Sequence, residues 1–330
     1  MKSITRAAGL ALLVVLALVA AAGDADDDDV AASGDPTGAE AETGGADDDA
    51  TFPVTVTVGD VDTTIEAEPT SIVSISPTGT EMLFAIGAGD QVVAVDDFSY
   101  FPEEAPVTDL SGNDPNIEAI LSYEPDLVVM SGDRNDVAPA LADVGVPSLI
   151  LSSAQTFDDT YSQIEVLGAA TGHVGDAAEL VGQMQGDIDD LIAEIPERDE
   201  PLTYYHELDD TLFSVTSQTF IGQVYALAGL ENVADAADPD GENGGYPQLS
   251  AEFLVDADPD VIFLADTKCC AQDADTVAAR GGFDELTAVQ NGNIVELDDD
   301  IASRWGPRIV DFLRTIVEAT ADVEAPANAG

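Results

Sequence analysis

Two glutamates stand at matching places in a phrase that occurs twice in the chain. Glu118 opens Glu118-Ala119-Ile120-Leu121-Ser122-Tyr123-Glu124-Pro125-Asp126, and Glu252 opens Glu252-Phe253-Leu254-Val255-Asp256-Ala257-Asp258-Pro259-Asp260. Carboxylates repeated in this way are suited to gripping a cationic partner by charge-assisted contacts; an acid near a helix start also favours the helix itself. Groups arranged for turnover do not stand out. The chain has no Gly-x-Ser-x-Gly elbow, no glycine loop with a lysine for phosphates and no His-Glu-x-x-His. Carboxylate pairs carry no information in so acidic a chain, because every spacing occurs by chance. His173 and His206 are the only histidines, too few for a zinc or manganese site. The expected chemistry is binding, not catalysis. Adjacent Cys269 and Cys270 cannot staple distant segments, and three readings stay open for them: a vicinal disulfide, a soft-ligand site, or small packed residues.

The elements that must position these groups are legible as alternating strands and helices. Each Pro-Asp is followed by four apolar residues, Leu127 to Met130 and Val261 to Leu264, the pattern of a parallel strand covered on both faces. Thr51 to Ile65 reads as a hairpin turning at Gly59-Asp60, and Ser71 to Ile75 as the first core strand. Ser76 to Glu81 then reads as a turn that starts a helix over Met82 to Ile86. Further strands are expected at Val92 to Val95, Pro147 to Leu151, Leu202 to His206 and Asn293 to Leu297, with helices over Val137 to Val144, Phe220 to Ala228 and from about Pro307. Between Asp158 and Ile195 the apolar positions keep helical spacing, broken at Thr171-Gly172-His173. The remaining stretch of about 20 residues makes a helix of roughly 30 Å, long enough to bridge two lobes. The fold class is therefore α/β: two Rossmann-like lobes joined by one long helix, with a ligand cleft between them. The expected boundaries are 51–170 for the first lobe, 171–197 for the spine, 198–322 for the second lobe and 323–330 for a tail.

Acidic residues number 66 against 9 basic ones, and only Lys2 and Lys268 are lysines. With 45% hydrophobic residues in ordered patterns, this is not the composition of a disordered chain. It fits a halophile, archaeal in type, whose dense surface carboxylates work where salt screens charge within a few ångströms. Nucleic acid is excluded as a ligand because no basic face exists to hold phosphates. Residues 1–22 have the outline of a secretion signal, with Lys2 and Arg6 ahead of an apolar core from Leu10 to Ala22 that is short for a membrane span. Residues 23–50 are an acidic low-complexity tether. The stretch Ala20-Ala21-Ala22-Gly23-Asp24 holds no cysteine, so the sequence gives a lipid anchor no support and the expectation is a secreted or cell-surface protein.

Five stretches, in order, carry a resemblance: Ser74-Ile75-Ser76-Pro77-Thr78-Gly79-Thr80-Glu81; Asn116-Ile117-Glu118; Ala228-Gly229-Leu230-Glu231-Asn232-Val233; Tyr246-Pro247-Gln248-Leu249-Ser250-Ala251-Glu252; and Ser303-Arg304-Trp305-Gly306-Pro307-Arg308. From about Ile72 to Thr320 the chain resembles solute-binding proteins of ABC importers. The group is the helical-backbone class of vitamin B12, iron–siderophore and haem receptors, and the vitamin B12 members are the nearest. The resemblance implies a ligand clamped between two lobes, with no catalysis and no resident cofactor, in a chain acting as a monomer. Its partners would be an ABC permease and its ATPase, with Glu118 and Glu252 meeting arginines of the permease. Phe98 and Phe101 of the first lobe, with Phe213, Tyr246, Asp300 and Arg304 of the second, would line the cleft around a cobalamin or related metal chelate. One departure is that an aromatic of some vitamin B12 binders falls near Gly112. The alternatives are an anionic siderophore, drawing on Arg134, Arg280, Arg304 and Arg308, and haem, with Tyr205 or His206 as axial ligand. Arginine is scarce here, which singles out Arg304 for a specific contact.

Overall fold

The computed structural model describes residues 51–323; the expected leader and tether, and all of the tail beyond Val323, lie outside the described residues. In chain order the first half contains β1 (Val54–Val58), β2 (Val61–Ile65), β3 (Ile72–Ile75), α1 (Pro77–Ala85), β4 (Val92–Val95), α2 (Ile117–Leu121), β5 (Leu127–Met130), α3 (Val137–Asp143) and β6 (Ser148–Ile150). Two helices follow, α4 (Phe157–Thr171) and α5 (Val174–Ala193). The second half contains β7 (Thr203–Glu207), α6 (Phe220–Leu227), β8 (Glu231–Asn232), α7 (Ala251–Ala257), β9 (Val261–Leu264), α8 (Thr267–Cys270), α9 (Ala274–Ala278), α10 (Thr287–Asn291), β10 (Ile294–Glu296), α11 (Asp299–Ser303) and α12 (Ile309–Thr320).

Two four-stranded sheets result, ordered β4-β3-β5-β6 and β10-β9-β7-β8, every pair in them parallel. The antiparallel β1–β2 hairpin stands apart from both. Strands β3, β5 and β9 are buried along their whole length, as their unbroken apolar runs require. Side chains alternate between two cores. One face of the first sheet (Val73, Ile75, Val128, Met130) and one of the second (Tyr205, Ile262, Leu264) each cover a core of their own. The opposite faces, with Ile72, Leu127 and Val129 from the first sheet and Tyr204, Val261 and Phe263 from the second, join one continuous core with α5 and α12. Helix α5 enters it by a stripe of Ala177, Val181, Met184, Ile188 and Leu191. The two lobes are thus joined by the long helix and share apolar packing along it.

The repeated phrase performs the same task twice. Asp126 accepts hydrogen bonds from the Thr70 and Ser71 amides at 2.9 and 3.0 Å, and Asp260 from the Thr203 amide and hydroxyl at 2.8 and 2.9 Å. Each aspartate latches the strand that pairs next to its own, β3 to β5 and β7 to β9.

Helix α1 departs from expectation by starting five residues early, at Pro77 and not Met82. The Ser76 hydroxyl accepts the Gly79 amide at 3.1 Å and Pro77 takes the first helical position, where a missing N–H costs nothing. A Cβ at Gly79 would come within 2.8 Å of Val129, so glycine here lets the helix lie close on β5. The short helices α8 to α11 are also additions to the sequence reading.

The two latches differ in exposure: Asp260 is buried and Asp126 is not. Asp260→Ala, which strands partly buried donors, should cost about 2 kcal/mol, and Asp126→Ala about 1 kcal/mol, since water replaces the lost acceptor. Thermal melts of both variants in molar salt check the order; equal losses would contradict it.

Candidate functional site

The loops leaving the carboxyl ends of the parallel strands of both sheets converge on one network of charges and aromatic rings. In the first half the positioning begins with a buried hydroxyl chain. The Thr80 hydroxyl donates to Ser74 Oγ at 2.8 Å and contacts Ser99 Oγ at 3.0 Å, and Ser99 Oγ donates to Asp96. All four residues are buried. Burial, above all, raises the Asp96 carboxyl above its ordinary range, against the bond from Ser99. This chain ties α1 to the loop after β4 and holds Phe98, Tyr100 and Phe101 outward, each partly exposed. A Cβ at Gly112 would fall within 2.9 Å of both the Asp96 carboxylate and the Ile75 carbonyl. No side chain fits there, which explains the departure at this position.

The second half supplies the cations. Arg304, at the end of α11, places Nη1 2.6 Å from Glu81 Oε1 and Nη2 2.8 Å from Asp300 Oδ1 and 3.0 Å from the Phe98 carbonyl. Arg308, just ahead of α12, places Nε 2.9 Å from Glu81 Oε2, and its guanidinium lies 4.0 Å from the centre of the Phe101 ring. Glu81 is 3% exposed, so it is satisfied by the two arginines and not by water. The Tyr100 hydroxyl donates to Asp300 at 2.5 Å, and Lys268 Nζ sits 2.7 Å from Asp298 and 2.8 Å from Asp300. Partial burial opposes charge on Asp300, but Lys268, Tyr100 and Arg304 together hold its carboxyl below the usual range.

Of the residues expected from sequence, Phe98, Phe101, Asp300 and Arg304 meet in this network. Phe213 and Tyr246 lie on two neighbouring strands of loop, bridged by Phe213 to Gln248 and by the Ser214 amide to the Pro247 carbonyl. Both rings are exposed, and no hydrogen bond, ion pair or ring contact among the described residues joins them to the network. Glu118 and Glu252 each hold the second helical position, behind the caps Asn116 and Ser250, and both are exposed. Sequence reasoning gave no site role to Glu81, Tyr100 and Lys268, and named Arg308 only for the siderophore alternative. The available signal was the scarcity of cations: Lys268, Arg304 and Arg308 are three of the nine basic residues.

The other candidates fall elsewhere. His206 is fully buried inside β7, its Nδ1 2.7 Å from the Tyr225 hydroxyl, and burial holds its pKa down at about 3. Tyr205 is buried in the same strand, so neither residue stands at a cleft edge, because β7 is covered on both faces. His173 bonds back to Thr171 at the start of α5. Arg280 is committed to Glu207, with two contacts of 2.6 Å. Cys269 and Cys270 form a vicinal disulfide on α8, Cys269 exposed and Cys270 half-buried. Among the described residues no group of three or more His, Cys, Asp or Glu is arranged to hold a metal ion, and no helix is long and apolar enough to cross a membrane.

Comparison with known proteins gives the network a context. The sequence profile of the periplasmic binding protein family matches residues 72–301. An uncharacterised ABC transporter substrate-binding lipoprotein of Bacillus subtilis is 30% identical over 279 residues, 81% of this chain and 85% of the relative. The cysteines of the present chain are Cys269 and Cys270. A cobalamin-binding protein of Halobacterium salinarum is 29% identical over 284 residues, covering 83% of this chain and 76% of its own. The crystal structure of the periplasmic vitamin B12 binding protein of Vibrio cholerae is similar with a TM-score of 0.61 and 25% identity, covering 76% of this chain and 96% of that one.

Beside the network, Asp266 is fully buried, and among the described residues no donor reaches either of its carboxylate oxygens. Burial, followed by the negative charge of Glu207, pushes its pKa up to about 7. The folded protein therefore keeps a proton that the unfolded chain releases from about pH 4 upward. Stability from this group is full below that point and is lost as the pH rises through about 7. Asp266→Asn should flatten the decline and leave the variant about 1–3 kcal/mol more stable than the parent at pH 8. Melting curves from pH 4 to 8 measure it; parallel curves would mean that the carboxyl titrates normally.

Proposed function

The chain belongs to the periplasmic binding protein family, as a solute-binding protein of an ABC importer and not an enzyme, and from that premise we propose that its solute is a corrinoid of the vitamin B12 type. The supporting observation is the charge balance of the network. Arg304 and Arg308 are already matched by Glu81 and Asp300, and Lys268 by Asp298 and Asp300. An anionic solute, such as haem with its propionates or a carboxylate siderophore, would have to displace these acids. A broad disc with amide edges needs no such exchange: it asks for wide apolar faces and a few fixed polar groups. Phe98, Phe101, Phe213 and Tyr246 offer the faces, and Asp300 and Arg304 the polar groups. The haem reading is weakened further because both histidines are engaged outside the network.

On this reading residues 51–170 and 198–322 are the lobes, 171–197 is the spine, and the protein works as a secreted monomer in high salt. It closes only slightly on its ligand before meeting the permease and ATPase. Glu118 and Glu252, alike in helical position and with side-chain carboxylates that have no hydrogen-bond or ion-pair partner among the described residues, are the docking carboxylates.

A spectroscopic titration in molar salt tests the ligand. Cyanocobalamin should saturate at one equivalent with a micromolar or tighter dissociation constant, while haemin and a ferric hydroxamate leave the spectrum unchanged. Saturable haemin binding with no response to cyanocobalamin would sink the corrinoid reading. For docking, Glu118→Ala combined with Glu252→Ala should abolish cellular uptake. The same pair should leave ligand affinity within about twofold, because each acid gives its helix only a few tenths of a kcal/mol; a loss of affinity would refute the role.

A further inference from the structure

The vicinal disulfide lies one residue from Lys268, and helix α8, which carries both, is sewn to the network on the side of α11. One Asp299 carboxylate accepts the backbone amides of Thr267, Lys268 and Cys269 at 2.9, 2.9 and 3.0 Å, together with the Thr267 hydroxyl at 2.8 Å. Lys268 Nζ then spans Asp298 and Asp300, the residues on either side of Asp299. Asp300 in turn holds Tyr100 and Arg304.

The far end of α8 is under backbone constraint. Ala271 sits at φ +54, a left-handed conformation that a residue with a Cβ rarely adopts. Gln272 anchors that turn: its amide donates to the Asp266 carbonyl, its side-chain amide to the Cys270 carbonyl, and it accepts from Arg280 at 2.7 Å. A helix of four residues has little stability of its own. The covalent link between Cys269 and Cys270 closes a small ring through the backbone at the point where α8 passes into the Ala271 turn, and so limits the conformations the free segment can reach.

We propose that the Cys269–Cys270 disulfide is a redox-sensitive splint: it keeps α8 in register with Asp299, holds Lys268 on Asp300, and so sets how firmly the cleft grips its solute. The last step rests on reading the network as the solute site. Cys269 and Cys270 are positioning residues here and touch no ligand. Reduction by an extracellular thiol breaks the Sγ–Sγ bond. Two electrons and two protons pass to the cysteines, giving two thiols, and the reductant leaves as its own disulfide. In an oxidising extracellular setting the bond persists.

The test uses the full-length secreted protein in molar salt. Thiol counting on denatured, unreduced protein should find no free cysteine; two free thiols would overturn the proposal at once. Hydrogen exchange is then compared before and after dithiothreitol, and in Cys269→Ser/Cys270→Ser. Exchange should speed up about tenfold both in residues 267–272 and in residues 298–304. Faster exchange confined to 267–272 would reduce the disulfide to a local brace and overturn the splint. With cyanocobalamin as probe, reduction should weaken binding about fivefold, the worth of one exposed ion pair. Lys268→Gln should begin at the weakened value, with reduction adding nothing. If neither redox form binds cyanocobalamin, the corrinoid reading fails, while exchange in 298–304 still decides the splint.

Discussion

One buried carboxylate, Glu81, binds the two halves of the molecule at the site. Its side chain is 2% exposed, and Arg304 and Arg308, which clasp it, are 9% and 17% exposed. Taking such charges out of water costs several kcal/mol for each ion, and only close mutual pairing offsets it. Glu81 therefore cannot be left alone, and neither can the arginines. The position of α1 relative to the α11–α12 segment is fixed by this requirement. The aromatic loop is fixed with it, because Arg304 also holds the Phe98 carbonyl and Arg308 covers the Phe101 ring. A substitution at Glu81 would act on both halves and on the aromatic wall together.

The ion cluster works on a stiff frame. The shared core runs from the first sheet through α4 and α5 to α12 and the second sheet. Large relative rotation of the halves would uncover that apolar surface, at about 25 cal/mol for each Å² exposed. Separate cores on the outer faces anchor each sheet independently of the shared one. Rigidity at the spine thus follows from how the alternating side chains of β3, β5, β7 and β9 divide between one common core and two private ones.

What was legible in the sequence is what has a period or a local signature. The apolar runs of β5 and β9, the stripe on α5 and the break at Gly172, which adopts φ +88, are all fixed by neighbours in sequence. The start of α1 was also written there, as Ser76 followed by Pro77, but Gly79 and two threonines look like a turn until their packing against β5 is known. The site was only half legible. Arg304 was singled out by arginine scarcity, and Phe98 and Phe101 by the family resemblance. Glu81 was hidden because an acid among 66 carries no signal of its own; its meaning comes from partners more than 220 positions away. Tyr205 and His206 misled for the opposite reason. Polar atoms suggest a surface, yet both sit inside β7, where the Tyr205 hydroxyl donates to Glu207 and His206 Nδ1 meets the Tyr225 hydroxyl.

The two scales of charge in this molecule have different consequences. A net charge of −57 implies long-range repulsion of anions in dilute solution. In molar salt that field fades within about 3 Å, so it cannot sort solutes. On the proposed reading, sorting then comes from contacts shorter than the screening length, those of the network. There the cations are spent on the protein's own acids, which removes the attraction an anionic guest would need, while the neutral aromatic faces stay open. On the proposed reading, selection in high salt rests on a few ion pairs that are too close, and in the case of Glu81 too deeply buried, for salt to reach.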